Sequence, residues 1–154
     1  MAGALLYLDA NPFIYAVEGD AETSDPVQEL FFALRERPGL AATSEMTLAE
    51  ALAPSTRKGA LPVHIKRRLY LDLIVRSRIF TLMPVTGDVL YETVDVRQFQ
   101  RLKLPDAIHL VSAIHAGCRI FLSRDAGIRM PDGMERLDPD RSGVDQALKV
   151  IARP

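Results

Sequence analysis

Leu104-Pro105-Asp106-Ala107-Ile108-His109-Leu110-Val111-Ser112-Ala113, continued after a short gap by Gly117-Cys118-Arg119-Ile120-Phe121-Leu122-Ser123-Arg124-Asp125, is the stretch on which the fold turns. Proline is at home in the first turn of a helix, where an N–H has no intrahelical partner. Leu104, Ile108, Val111 and Ile114 then fall on one helical face, and Gly117 supplies a stop. The run from Arg119 to Leu122 is short, apolar and β-prone, so it reads as a buried strand. A helix that feeds a buried strand is half of a parallel α/β unit.

The same grammar extends outward in both directions. Leu5-Leu6-Tyr7-Leu8 reads as a buried strand ending at Asp9, and Asn11-Pro12 as a helix N-cap followed by a first-turn proline. A helix is predicted over 24–37, with Val27, Leu30, Phe31 and Leu34 as its stripe and Pro38-Gly39 as its end. Weak strand character follows over 40–43, then helix from 45 to Pro54, a loop, and a helix over 63–78 that carries Ile65, Leu69, Tyr70, Leu73 and Ile74. A third strand is expected over 79–84, a helix over 87–101, and a short fifth strand at Glu135-Arg136-Leu137. The order β-α-β-α-α-β-α-α-β specifies an α/β fold: a mostly parallel central sheet of four to five strands with helices on both faces. One domain over 1–138 is expected, with 139–154 as an extension that holds a short helix near 143–151.

Composition narrows the function. One cysteine, Cys118, excludes an internal disulfide framework and thiolate metal clusters, and it is expected to be buried. The opening residues lack a basic region and a long apolar stretch, and no run approaches the ~20 apolar residues of a membrane helix, so a soluble cytoplasmic protein is expected. The net charge of −1 hides a basic segment: Arg57, Lys58, Lys66, Arg67, Arg68, Arg76 and Arg78 lie within 54–78 against a single acid, Asp72. Such a segment is either a solvated helix face or a surface for phosphate backbone, with Lys66, Arg67 and Arg68 as the candidates. Neither GxGxxG nor GxxxxGK[ST] occurs, so no phosphate loop is predicted.

The chemistry is carried by acids. Asp9 and Asp125 follow strands directly, and Glu50 and Asp106 are predicted in first turns of helices. In an open α/β sheet these places share one edge, the carboxyl edge, where ligands bind. Each acid also has a local role available: Asp9 or Asn11 caps a helix, Thr47-Leu48-Ala49-Glu50 fits a capping box, and Asp106 favours a helix dipole. Ser123 and Asp125 can do the same for a turn after the fourth strand. Capping explains them singly; four at one edge ask for more. Two like charges ~4 Å apart repel by about 4 kcal/mol at an effective dielectric near 20, so grouped carboxylates raise one another's pKa, share protons or bind a cation. An all-oxygen set selects a hard ion, Mg²⁺ or Mn²⁺. His109, one turn past Asp106, can reach the site but is expected as a surface or half-buried residue, and His64 and His115 as structural residues.

These segments resemble the PIN domain family. Tyr7-Leu8-Asp9-Ala10-Asn11-Pro12-Phe13-Ile14-Tyr15 is similar to its opening strand and helix, Thr47-Leu48-Ala49-Glu50 stands where it places a glutamate, and the stretch from Leu104 to Asp125 is similar to its later acidic motifs. The resemblance spans residues 5–128 and implies a PIN-like three-layer α/β/α sandwich. It implies cleavage of RNA phosphodiesters with Mg²⁺ or Mn²⁺ on Asp9, Glu50, Asp106 and Asp125, supported by Asn11 and Ser123. Compact members of this kind are often VapC-type toxins, so a homodimer and a small antitoxin partner with basic side chains are implied as well. Two alternatives stand beside it. One is a non-catalytic PIN-like module that binds RNA or protein. The other is a phosphoacceptor receiver domain, against which Asp9 lacks an acidic neighbour and no lysine closely follows the fourth strand.

Overall fold

The computed structural model describes residues 3–153; Met1, Ala2 and Pro154, the outermost residues of the expected domain and extension, lie outside the described residues. Five strands form one sheet: β1 (Leu6–Leu8), β2 (Ala41–Ser44), β3 (Phe80–Met83), β4 (Ile120–Leu122) and β5 (Glu135–Leu137). Their order is β3-β2-β1-β4-β5 and every pairing is parallel. The chain therefore builds outward from β1 to one side and returns to build outward on the other. That reversal opens a crevice at the carboxyl ends of β1 and β4.

Alternation along the strands makes the three layers. Leu6 and Leu8 of β1, with Ile120 and Leu122 of β4, face a core with Phe13, Val27, Leu30, Phe31, Leu34 and Ile74. Tyr7 and Phe121 point the other way, stacked with ring centroids 5.3 Å apart, into a cluster with Ala42, Leu110 and Ala113. The helices are α1 (Ala10–Glu18), α2 (Ala21–Arg35), α3 (Glu45–Ala51), α4 (Val63–Tyr70), α5 (Gly87–Phe99), α6 (Leu104–His115) and α7 (Arg141–Ile151). A π-helical turn, Leu71–Arg76, continues α4 and keeps Tyr70 and Ile74 buried. Gly117, at φ +72°, ends α6 as foreseen: its N–H reaches the Ile114 carbonyl and that of Cys118 the Ala113 carbonyl, a Schellman closure. Cys118 is buried. None of the described helices is long and apolar enough to cross a membrane.

Several local expectations change. The α1 helix begins at Ala10 with Asp9 as its N-cap, so Asn11 is not the cap, and Pro12 sits in the first turn, where its missing N–H has no cost. The α2 helix starts at Ala21 behind an Asp20 cap, one turn earlier than its apolar stripe suggested. The short helix expected near 143–151 is α7, whose Val144, Ala147 and Ile151 join the main core, and Arg37 donates to the Ile151 carbonyl. The α7 start is packed hard against the preceding turn, because a Cβ on Gly143 would come within 1.8 Å of the Asp138 carbonyl oxygen. Gly143→Ala is expected to destabilise the fold by about 1–3 kcal/mol through forced displacement of that turn, while Ser142→Ala at an exposed neighbour leaves thermal unfolding unchanged.

Candidate functional site

Where the chain leaves β1, Asp9 is held on three sides. Its backbone N–H donates to the Leu122 carbonyl at 3.4 Å, fixing it beside the end of β4. Its carboxylate accepts from the Asn11 N–H at 3.3 Å, the N-cap bond of α1. Asp9 is 6% exposed. Burial pushes its carboxyl up to about 6, against the lowering effect of the Ser123 hydroxyl, the His109 ring and the Asn11 N–H, while Glu50 pushes the same way as burial. Ser123 is itself buried and its hydroxyl accepts from the Asp125 N–H at 3.1 Å. Asp125 in turn accepts from the Gly127 N–H at 2.9 Å, which locks the turn after β4.

Asp106 occupies the first turn of α6, where Pro105 and the helix start hold it at the sheet edge. Its carboxyl is raised, chiefly by burial and then by Asp125, with Glu50 adding to the rise and His109 and Lys103 opposing it. Glu50 arrives from another direction. The expected capping box is absent: Ser44 caps α3 by accepting from the Met46 N–H, and Glu50 lies in the last turn of the helix, not the first. Thr47 instead pairs its hydroxyl with that of Thr43 at 2.7 Å, and Thr43 donates to the Leu8 carbonyl at 2.8 Å. This pins α3 to the end of β1.

The structure thus brings Asp9, Asn11, Glu50, Asp106 and Asp125 to the wall of one cleft of about 490 Å³, with Arg124 at its rim. Ser123 stands behind Asp9 and Asp125. Among the described residues, no three His, Cys, Asp or Glu side chains stand close enough together to form a ready-made metal centre. The donor set nevertheless suits a hard ion that keeps most of its water, since Mg²⁺ is commonly held by only one or two carboxylates. The rise of the Asp106 carboxyl, from burial and then from the field of Asp125, is the electrostatic strain that a cation relieves.

Two expectations about basic residues are corrected. His109 is not a surface residue: it is 2% exposed, lines the same cleft, and bonds Glu50 through Nε2 at 2.5 Å and the Tyr7 hydroxyl through Nδ1 at 2.7 Å. Its spacing of three from Asp106 already placed both on one helical face; its partners, far off in sequence, gave no signal. Lys66 is not part of an exposed basic face. It is buried, donates to the Ala53 carbonyl at 3.2 Å and lies 3.8 Å from Glu18, leaving Arg67 and Arg68 exposed. His115 has a partner too, Glu92 at 2.5 Å.

Comparison with known proteins follows the same lines. The PIN domain family matches residues 6–134. A toxin-antitoxin complex from Klebsiella pneumoniae contains a chain 26% identical, with 88% of this chain and 98% of that one covered at a TM-score of 0.60. VapBC2 from Rickettsia felis, solved bound to a DNA fragment from its promoter, aligns over 87% of this chain and 98% of that one at 14% identity and a TM-score of 0.62. FitAcB from Neisseria gonorrhoeae aligns over 80% and 89% at 17% identity and a TM-score of 0.56. No curated protein matches the sequence. A parallel sheet with this strand order, an acidic cleft at its carboxyl edge and a family match across most of the chain lead to one assignment: the protein belongs to the PIN domain family.

Proposed function

We propose that this chain is a metal-dependent endoribonuclease and the toxin of a VapC-type toxin–antitoxin pair. PIN domains are generally nucleases that use divalent metals, and the neighbours in fold come from toxin–antitoxin complexes. The observation that carries the reading is the cleft itself: carboxyls from four separate elements share it, at like-charge cost. Asp9, Glu50, Asp106 and Asp125 would hold Mg²⁺ or Mn²⁺, with Asn11 and Ser123 supporting them. Such an ion, when bound, supplies charge stabilisation at phosphoryl oxygens and a water of lowered pKa. The protein's own part is to orient: Ser123 and the Asn11 N–H hold Asp9, and the turn through Gly127 holds Asp125. Arg124, bonded to the Tyr15 hydroxyl at 3.1 Å, offers the rim a cation for the substrate phosphate.

The non-catalytic alternative explains less, because a binding module gains nothing from strained carboxylates. An antitoxin partner that delivers basic side chains would find its counter-charge in this cleft. A homodimer is supported by apolar side chains left in solvent on α5 and at its end, with Tyr91 79% and Phe99 78% exposed beside Leu90 and Val94. The proposed setting is the cytoplasm.

Asp106→Asn is expected to lower RNA cleavage in Mg²⁺ by at least about a hundredfold without altering the far-UV circular dichroism spectrum, and EDTA to abolish cleavage by the unaltered protein. Cleavage that persists in either case counts against the site. Arg67→Glu combined with Arg68→Glu is expected to weaken RNA binding and flatten its salt dependence; unchanged binding removes those two from the interface.

Asp9 ties activity to stability, with a definite sign. Its carboxyl titrates near 6 in the folded chain and near 3.8 when unfolded. Between those values the native state holds a proton that the unfolded chain has released, so stability falls as pH rises through about 4 to 6 and stays lower above. Asp9→Asn removes this loss. Measured by denaturant unfolding in EDTA, it is expected to stabilise the metal-free protein at pH 7 by about 1–3 kcal/mol and to flatten the profile between pH 4 and 6.

A further inference from the structure

Of the groups that face the cleft, His109 is the one for which an acidic metal site has no obvious use. It is a buried ring with both nitrogens engaged. The Tyr7 ring is packed edge-on against it, with centroids 5.9 Å apart, and burial keeps the Tyr7 phenol protonated far above neutral pH. A neutral phenol facing a ring nitrogen can donate, and a carboxylate facing the other can only accept. For a neutral imidazole beside a carboxylate the hydrogens run one way: Tyr7 Oη–H donates to His109 Nδ1, and His109 Nε2–H donates to Glu50 Oε1. This tautomer leaves Glu50 Oε2 without a protein hydrogen bond among those described.

Glu50 needs such a hold more than Asp9 and Asp125 do. It has the longest side chain of the four, and it comes from the last turn of α3, a seven-residue helix. Asp9 and Asp125 are fixed by backbone N–H groups within two residues of themselves. For Glu50 the hydrogen bond to His109 takes their place. Asp106 and His109 sit one turn apart on α6, so one helix presents a carboxylate to the cleft and sets the position of another.

We propose that His109 is a positioning residue: anchored by Tyr7 on the central strand, it clamps one oxygen of Glu50 and leaves the other presented to the divalent ion. The proposal rests on the reading of the cleft as a metal site. Ligand-orienting groups of this kind typically change metal affinity by about 10–100-fold when removed.

The test is Mn²⁺ binding to the full chain, read from the electron paramagnetic resonance signal of free Mn²⁺, with thermal unfolding as the control for folding. His109→Leu is expected to weaken Mn²⁺ binding by about tenfold or more. His109→Gln, whose amide N–H can replace Nε2–H, recovers most of that loss. Tyr7→Phe keeps the core volume and removes only the anchor, so it weakens binding by a smaller factor and serves also if His109→Leu fails to fold. Because His109 acts through Glu50, adding His109→Leu to Glu50→Gln brings no further loss. Full affinity in folded His109→Leu, or in Tyr7→Phe where the leucine variant does not fold, overturns the proposal, as does an undiminished loss on the Glu50→Gln background. Absence of Mn²⁺ binding by the unaltered protein overturns the nuclease reading and this proposal together, which separates the two failures.

Discussion

Everything at the cleft depends on β1 being buried on both faces at the centre of a parallel sheet. With Leu6, Tyr7 and Leu8 all inaccessible and both strand edges paired, the position of the next residue is dictated by the core. Asp9 is that residue. A carboxylate at such a place is poorly hydrated, and the cost of leaving it there shows as a raised pKa. The hydrophobic effect thus does the electrostatic work: apolar burial of a three-residue strand holds a charge where water solvates it poorly and a cation would solvate it well.

The neighbouring elements register themselves on that strand. The Thr43 hydroxyl reaches the Leu8 carbonyl and Thr47, which sets α3 and therefore Glu50. The Tyr7 hydroxyl reaches His109, which sets a point on α6 one turn past Asp106. The end of β4 lies beside Asp9 through the bond to Leu122. Three polar contacts to one strand end align four acids drawn from distant parts of the chain. Nothing in this arrangement requires the carboxyls to touch, and they line a cleft wide enough for water.

Much of the fold could be read before any coordinates because its signals are local. Short apolar runs mark β1, β3 and β4, weaker signals stand at β2 and at Glu135-Arg136-Leu137, and a first-turn proline and a closing glycine bracket α6. What escaped reading was settled by competition or by distance. Asp9 and Asn11 offer equally good caps two residues apart, and only the end of β1 decides between them. Thr47 to Glu50 spells a capping box, but Ser44 takes the cap a turn earlier, so the same letters fall at the other end of the helix. Lys66 follows an amphipathic pattern that places it among exposed arginines; its burial is set by Glu18, far earlier in the chain. The burial of His109 has the same kind of cause, since its partners Tyr7 and Glu50 are far from it in sequence.

The strand order has a consequence for synthesis on the ribosome. β1 pairs with β2 along one edge, but its other edge pairs with Ile120–Leu122, so the middle of the sheet stays open until β4 has been translated. Long-range parallel pairing of this sort is slow to form and exposes unsatisfied backbone meanwhile. It also orders the appearance of the acids: a nascent chain that already carries Asp9 and Glu50 still lacks Asp106 and Asp125. A nascent chain that lacks α6 and the turn after β4 therefore has no complete cleft.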